Sequence, residues 1–134
     1  MLPVHLATVR LFVHVLAATV WVGGQLTLAG LVPVLRRLGP DAPARVARQF
    51  NRIAWPAFAV VVATGVWNLV EVDVGSQSSD YQRTVVVKLV LVAASAAGAA
   101  MHTRGRTKVG FAVGGAAAAL GAVGALFLGV LLHS

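Results

Sequence analysis

The chain has 134 residues, of which 58% are hydrophobic and 11% charged, and 11 basic against 4 acidic side chains give a net charge of +7 at pH 7. A soluble domain carries about 25% charged residues, so this composition, with a mean hydropathy of +0.84, excludes an ordinary water-soluble domain. The sequence contains no cysteine, which excludes disulfides, thiolate metal sites and haem attached through a Cys-x-x-Cys-His motif.

The first predicted element is a membrane-spanning helix over residues 5–36. No Asp, Glu, Lys or Arg occurs between Arg10 and Arg36, and about 20 apolar residues are enough to cross the hydrocarbon core. The apolar run is longer than that of a secretory signal, and Arg36 and Arg37 follow it. We therefore interpret it as a permanent span.

Three further apolar segments follow, and only Lys88 interrupts one of them. Inside lipid each segment must pair its own backbone N–H and C=O groups, so these segments are predicted to be helices, at residues 50–71, 83–103 and 109–132. A turn at 38–43 comes before the second span, because Gly and Pro break helices there. Arginines then recur at helical spacing, which predicts an amphipathic interfacial helix over 42–52.

These segments predict one all-α domain, 1–134, that forms an integral membrane four-helix bundle in the cell membrane, with multiple passes through the lipid bilayer. The first and third loops carry eight basic residues, which the positive-inside rule places in the cytoplasm: Arg36, Arg37, Arg45, Arg48, Arg52, Arg104, Arg106 and Lys108. Both termini are therefore predicted to be non-cytoplasmic. Because these side chains flank membrane spans, we expect them to attract anionic lipid and predict no nucleic-acid binding.

Polar side chains at membrane depth are costly and are the first candidates for function. Offsets of 4, 7 and 4 residues place four of them on one stripe of the first helix: Arg10, His14, Trp21 and Gln25. In the second helix Thr64, Asn68 and Glu71 share a face by the same arithmetic. The predicted topology brings six polar residues to the outer half of the bundle: Arg10, His14, Asn68, Glu71, Lys88 and His133. We therefore predict one site there, centred on His14.

Each of these residues also has a purely structural interpretation. His14 can simply hydrogen-bond across helices, and Lys88 can extend its ammonium to the membrane interface. His5, His102 and His133 lie close to predicted interfaces. The glycines of the fourth helix, among them Gly-x-x-x-Gly at 110–114, indicate either tight packing within the bundle or a homodimer interface.

Short motifs along most of the chain carry a family resemblance. In residues 11–24, LFVHVLAATVWVGG, a histidine precedes a tryptophan by seven positions and small residues follow. With the motifs at 33–37, 50–56, 63–69 and 87–89, this pattern resembles the copper-resistance D (CopD) family of small membrane proteins. The combination of His14, Trp21 and Lys88-Leu also resembles HemJ-type protoporphyrinogen oxidases, four-helix proteins that bind b-type haem.

The resemblance implies a metal or haem site in the outer half of the bundle. The likeness to HemJ implies that His14 ligates haem and that Lys88 is important, as in a haem-dependent oxidoreductase; catalytic residues are not assigned. A haem also needs apolar walls and cations for its propionates, which Trp21 with its small neighbours and Arg10 with Lys88 can supply. The predicted haem b site comprises His14, Arg10, Trp21, Gln25, Asn68 and Lys88.

Two alternatives remain open at this point. The first is a copper-handling protein that uses His14 with His5 or His133 as metal ligands, because imidazole nitrogens suit Cu(II). The second is a non-catalytic scaffold that packs through the fourth helix. For the haem hypothesis, the second axial ligand is His133, a residue of a partner subunit, or none, and the redox partner is not identified.

Overall fold

A computed structural model describes residues 4–104 and 107–134 of the chain. Four helices occupy nearly all of these residues: α1 (Leu6–Leu38), α2 (Ala42–Val72), α3 (Ser79–Arg104) and α4 (Lys108–Leu131). A single 3-10 turn lies at Val74–Ser76, and the described residues contain no β-strand. Each helix is long and apolar enough to cross a membrane. The predicted all-α class and the four apolar spans are confirmed.

The helices form two compact units, Met1–Val72 and Asp73–Ser134. In the first unit α1 packs against α2, and in the second α3 packs against α4. Each unit is therefore a helical hairpin. Arg106, one of the basic residues of the third loop, lies outside the described residues.

The turn of the first hairpin was predicted at 38–43, and α1 ends there. Gly39 follows the helix with a φ of 149°, a backbone conformation that favours glycine because it has no Cβ. Pro43 occupies the second position of α2, where the missing N–H has no helical acceptor in any case. The hairpin therefore turns where local chain chemistry favours a turn.

The segment 42–52, predicted as an interfacial helix, is helical and continuous with the second span. No glycine or proline lies between Ala44 and Trp55, so nothing in that stretch ends the helix. Pro56 lies inside α2, and transmembrane helices tolerate an internal proline because neighbouring groups can satisfy the freed carbonyl. The result is a helix of 31 residues.

The second hairpin is held together by small residues on facing surfaces. A Cβ on Gly114 would lie 2.8 Å from the carbonyl oxygen of Gly98, and one on Gly121 would lie 2.8 Å from the carbonyl oxygen of Leu91. Ser95, 1% exposed, donates its hydroxyl to the carbonyl oxygen of Ala118 at 2.8 Å. Backbone-to-backbone approach of this kind provides the packing that holds helices together in lipid.

Other glycines of α4 also face α3. Gly115 lies against the ring of His102, Gly124 against the side chain of Leu91, and a Cβ at Gly129 would lie 3.1 Å from Nζ of Lys88. Tight packing within the hairpin, one of the two predicted uses of these glycines, is therefore what these contacts show. The homodimer stays a prediction.

Candidate functional site

His14 is half-buried in the first hairpin and is held by a hydroxyl of α2. Its Nδ1 lies 2.8 Å from Oγ1 of Thr64. The Thr64 hydroxyl gives its single proton to the carbonyl oxygen of Val60 at 2.6 Å, with that of Val61 at 3.2 Å. Because the hydroxyl proton points to a carbonyl, the hydroxyl oxygen must accept from His14, so Nδ1 is protonated. In the neutral ring the lone pair is then on Nε2, the nitrogen that can ligate a metal.

Gly65 lies beside the imidazole: a Cβ at position 65 would lie 3.4 Å from Cε1 of His14, which is ordinary van der Waals contact. The hydrogen bond to Thr64 therefore orients the ring from α2. A metal-ligating histidine is typically fixed in this way, by a hydrogen-bond acceptor on its other nitrogen.

Arg10, one helical turn before His14, connects α1 to α2 through a polar network. Its Nε donates to Oδ1 of Asn68 at 2.6 Å, and its Nη1 lies 3.4 Å from Oε1 of Glu71. The same carboxylate oxygen accepts from Nε1 of Trp67 at 3.0 Å, and the guanidinium carbon lies 5.5 Å from the centroid of the Trp67 ring. The structure therefore brings the predicted residues Arg10 and Asn68 together directly.

This network predicts unequal effects of removing its two charges. The Arg10 side chain is 13% exposed and that of Glu71 is 53% exposed. We expect Arg10→Gln to destabilise the protein by about 1–2 kcal/mol, the range for a strong hydrogen bond between membrane helices. Glu71→Gln is expected to have a smaller effect, because water screens that partner and Arg10 keeps Asn68. Thermal unfolding of both variants in the same detergent checks this, and an equal or larger loss for Glu71→Gln would contradict it.

Trp21 lies in an aromatic cluster between α1 and α2. Its ring centroid is 5.4 Å from that of Trp55 and 4.5 Å from that of Phe58, and the residue is 5% exposed. The ring of Phe50 lies against Gly24, one of the small residues near Trp21. Aromatic side chains of α2 therefore pack against this part of the predicted stripe.

Gln25 occupies the position one turn beyond Trp21 on the predicted stripe. Its amide nitrogen is buried and has no hydrogen-bond partner among the described residues. Buried donors normally find an acceptor, so the amide N–H groups of Gln25 are available to donate a hydrogen bond. Its predicted role in cofactor binding stays a prediction.

The remaining predicted residues occupy other parts of the fold. His5 is the exposed residue that precedes α1. Lys88 and His133 belong to the second hairpin, where both lie close to Gly129: the Lys88 ammonium packs against that glycine, and Nδ1 of His133 donates to its carbonyl oxygen at 2.8 Å. Their predicted roles as propionate partner and metal ligand stay predictions.

The family model for copper resistance protein D (CopD) matches residues 44–132, which is 89 of the 134 residues. The chain belongs to the CopD family. The protein is therefore a multi-pass membrane protein of that family, as its resemblance and its four apolar helices predicted. No curated protein and no solved structure matches this CopD chain, and the resemblance to HemJ stays a prediction.

The matched segment covers most of α2 and all of α3 and α4. It includes Thr64, Asn68 and Lys88, whereas Arg10 and His14 of α1 lie before it. The part of the CopD fold that orients the histidine is therefore within the match. The histidine itself comes from the helix that precedes it.

Direct metal binding by this CopD protein would need several ligands at one place. Residues 4–104 and 107–134 contain no group of three or more His, Asp or Glu side chains placed to hold a metal ion. The contacts of His14 include the hydroxyl of Thr64 and Gly65.

The sequence places Thr64 on the same face as Asn68, but helical spacing within α2 alone assigns no role to Thr64 or Gly65. The helical offset of four between Thr64 and Asn68 matches the offset between Arg10 and His14. In two antiparallel helices such matched offsets allow both pairs to meet at once, and the structure shows that they do. That coincidence of spacing is the signal that could have identified Thr64.

Proposed function

We propose that this CopD-family protein binds a b-type haem through Nε2 of His14 and has a redox or gas-handling role, as a haem-dependent oxidoreductase or an electron carrier. The observation that carries the proposal is the hydrogen bond between His14 and Thr64. This bond favours the tautomer with the proton on Nδ1 and the lone pair on Nε2, which is the state that an imidazole needs to ligate haem iron. A bound haem would supply one-electron exchange or coordination of a small ligand at its iron.

The number of protein ligands favours haem over a bare metal ion. The four porphyrin nitrogens hold the iron, so one imidazole is enough to anchor haem b. A copper site is usually built from three or more side chains, and no such group of His, Asp or Glu occurs in the described ranges. His14 with Thr64 and Gly65 is therefore better suited to haem.

The charge beside His14 agrees with this choice. Arg10 donates one of its five N–H groups to Asn68 and forms an ion pair with Glu71, and it keeps other N–H groups for a propionate carboxylate. Asn68 and Glu71 would then act as positioning residues that hold the guanidinium.

Copper handling is the second candidate, and family membership favours it. Copper would then be the cargo, bound by His14 with His5 or His133, whose imidazole nitrogens suit Cu(II). His133 donates Nδ1–H to the carbonyl oxygen of Gly129, so its Nε2 also carries a lone pair. Copper handling therefore requires that two or three of these histidines lie close enough to bind the same ion.

Absorption spectra and metal contents of the purified protein separate these functions. The protein is purified in detergent from haem-replete cells, and its spectrum is recorded oxidised and reduced, with iron, copper and haem measured on the same sample. We expect a Soret band, sharp reduced α and β bands, and about one haem per chain. A colourless protein with copper would replace the haem proposal by copper handling, and a protein with neither would favour the scaffold.

A further inference from the structure

One end of the first hairpin carries a dense cluster of exposed arginines, which we call the basic end. Its members lie in the last turn of α1 and the first three turns of α2: Arg36, Arg37, Arg45, Arg48 and Arg52. All five are exposed, and none makes an ion pair or side-chain hydrogen bond within residues 4–104 and 107–134. Asp41 is the one acidic residue between Arg36 and Arg52. The basic end therefore presents five positive charges with almost no internal compensation.

The lengths of α1 and α2 place these charges beyond the hydrocarbon. With 33 and 31 residues, the helices are about 50 and 47 Å long, whereas α3 and α4 have 26 and 24 residues. A bilayer has a hydrocarbon core of about 30 Å and a total thickness of about 40–45 Å. The first hairpin is thus long enough to cross the core and pass through a headgroup layer.

The charge pattern of α2 indicates which end of the helix extends beyond the hydrocarbon core. Arg52 and Glu71 are 19 residues apart with no charge between them, about 28 Å along a helix, which matches the hydrocarbon core. Arg52 then lies at the core boundary, and Arg45 lies about 10 Å further out. Offsets of 3 and 4 residues put Arg45, Arg48 and Arg52 on one face. This row of guanidinium groups therefore spans the depth of the headgroup layer.

We propose that the basic end binds the phosphate groups of anionic phospholipids. A guanidinium binds a phosphate through two parallel hydrogen bonds, and membrane-proximal basic clusters attract anionic lipid. The ligand is a lipid headgroup because the arginines stand at headgroup depth on helices that continue into the core. This site is independent of the one proposed at His14.

Thermal unfolding in the presence of defined lipids tests the proposal. Detergent-purified protein is supplemented with phosphatidylglycerol, with phosphatidylcholine, or with inorganic phosphate at the same phosphate concentration. We expect phosphatidylglycerol to raise the midpoint by several degrees and the other two to leave it nearly unchanged. An equal rise with phosphatidylcholine or with free phosphate would overturn the proposal.

Substitutions assign the effect to the basic end. The triple variant Arg45→Gln, Arg48→Gln, Arg52→Gln is expected to lose most of the phosphatidylglycerol rise. The control Arg83→Gln is expected to keep it all, since this exposed arginine pairs with Asp80 at 3.8 Å in the second unit. A triple variant that keeps the full rise would contradict the assignment.

A lysine series covers the case in which the glutamine variant fails to fold. Lysine keeps the charge that sets membrane orientation but lacks the planar fork that pairs with a phosphate. We expect Arg45→Lys, Arg48→Lys, Arg52→Lys to keep part of the phosphatidylglycerol rise. A rise equal to that of the unmodified protein would show that arginine–phosphate pairs are not the cause.

Discussion

His14→Ala is expected to abolish haem binding, so that the purified variant lacks the Soret band and the reduced α and β bands. The reason is that the proposed site has one protein ligand, Nε2 of His14, whose lone pair the Thr64 hydrogen bond fixes. Removing the imidazole removes the bond to iron and leaves only apolar contacts and the pair between Arg10 and a propionate, which do not hold the iron. Absorption spectra and haem content per chain, at matched protein concentration, check this result.

Two histidines of the same chain serve as controls. His5 precedes α1 and is exposed, and His102 donates Nδ1–H to the carbonyl oxygen of Phe111 at 2.7 Å. His5→Ala and His102→Ala are each expected to keep the full haem content. Loss of haem in His102→Ala with retention in His14→Ala would move the ligand to the second hairpin and contradict the proposal.

Thr64 gives a graded test of the same site. Thr64→Val keeps the shape of the side chain and removes the acceptor for Nδ1–H, so haem affinity is expected to fall about 10–100-fold, as for loss of a partner behind a metal ligand. Thr64→Ser keeps the hydroxyl and is expected to stay near the unmodified affinity. Haem titration of the apoprotein measures both. A purely structural role for the hydrogen bond would lower the unfolding midpoint of Thr64→Val without changing its affinity for haem.

The four apolar spans could be predicted from the sequence because a long segment without charged residues can adopt few backbone structures in lipid. Uncharged stretches such as 11–35 and 53–70 must satisfy their backbone within a helix, and the structure has helices there. The interfacial helix predicted at 42–52 rested on the helical spacing of its arginines. In the structure this segment is helical and continuous with the second span, because no glycine or proline lies between Ala44 and Trp55.

The partners of the polar residues could be predicted only in part. Helical offsets correctly grouped Arg10 with His14 on one stripe and Thr64 with Asn68 on another. Which pairs meet depends on the register between α1 and α2, and the packing of Phe50 against Gly24 helps to set that register. Contacts between two helices are not encoded in the periodicity of either one.

The glycine pattern of α4 likewise does not identify the helix that packs against it. The spacing of Gly114 and its neighbours indicates close approach to another helix, but it does not say whether that helix belongs to the same chain. The structure shows that α3 makes this approach, with the backbone of Gly98 facing Gly114. Which helix packs against α4 depends on all the contacts of the hairpin, including the buried hydrogen bond from Ser95.

Gly98→Ala and Gly121→Ala are accordingly expected to destabilise the second hairpin strongly. A Cβ at Gly98 would lie 2.5 Å from the backbone nitrogen of Ala118, and one at Gly121 would lie 2.8 Å from the carbonyl oxygen of Leu91. Backbone atoms cannot rotate away as side chains do, so α3 and α4 must separate and stretch the hydrogen bond between Ser95 and Ala118. Overpacking of this kind costs about 1–3 kcal/mol per site.

Gly30→Ala is the matched control, because a Cβ there would have no neighbour within 4 Å. It is expected to be neutral or slightly stabilising, since alanine favours a helix over glycine by about 1 kcal/mol. Unfolding midpoints of the three variants in one detergent, together with their mass by size exclusion, make the comparison. If Gly98→Ala and Gly121→Ala matched Gly30→Ala in midpoint while losing a dimer, the glycines would serve a contact between chains instead. A large loss of stability at unchanged mass would place their role within the hairpin, because only the packing of α3 on α4 would then have been disturbed.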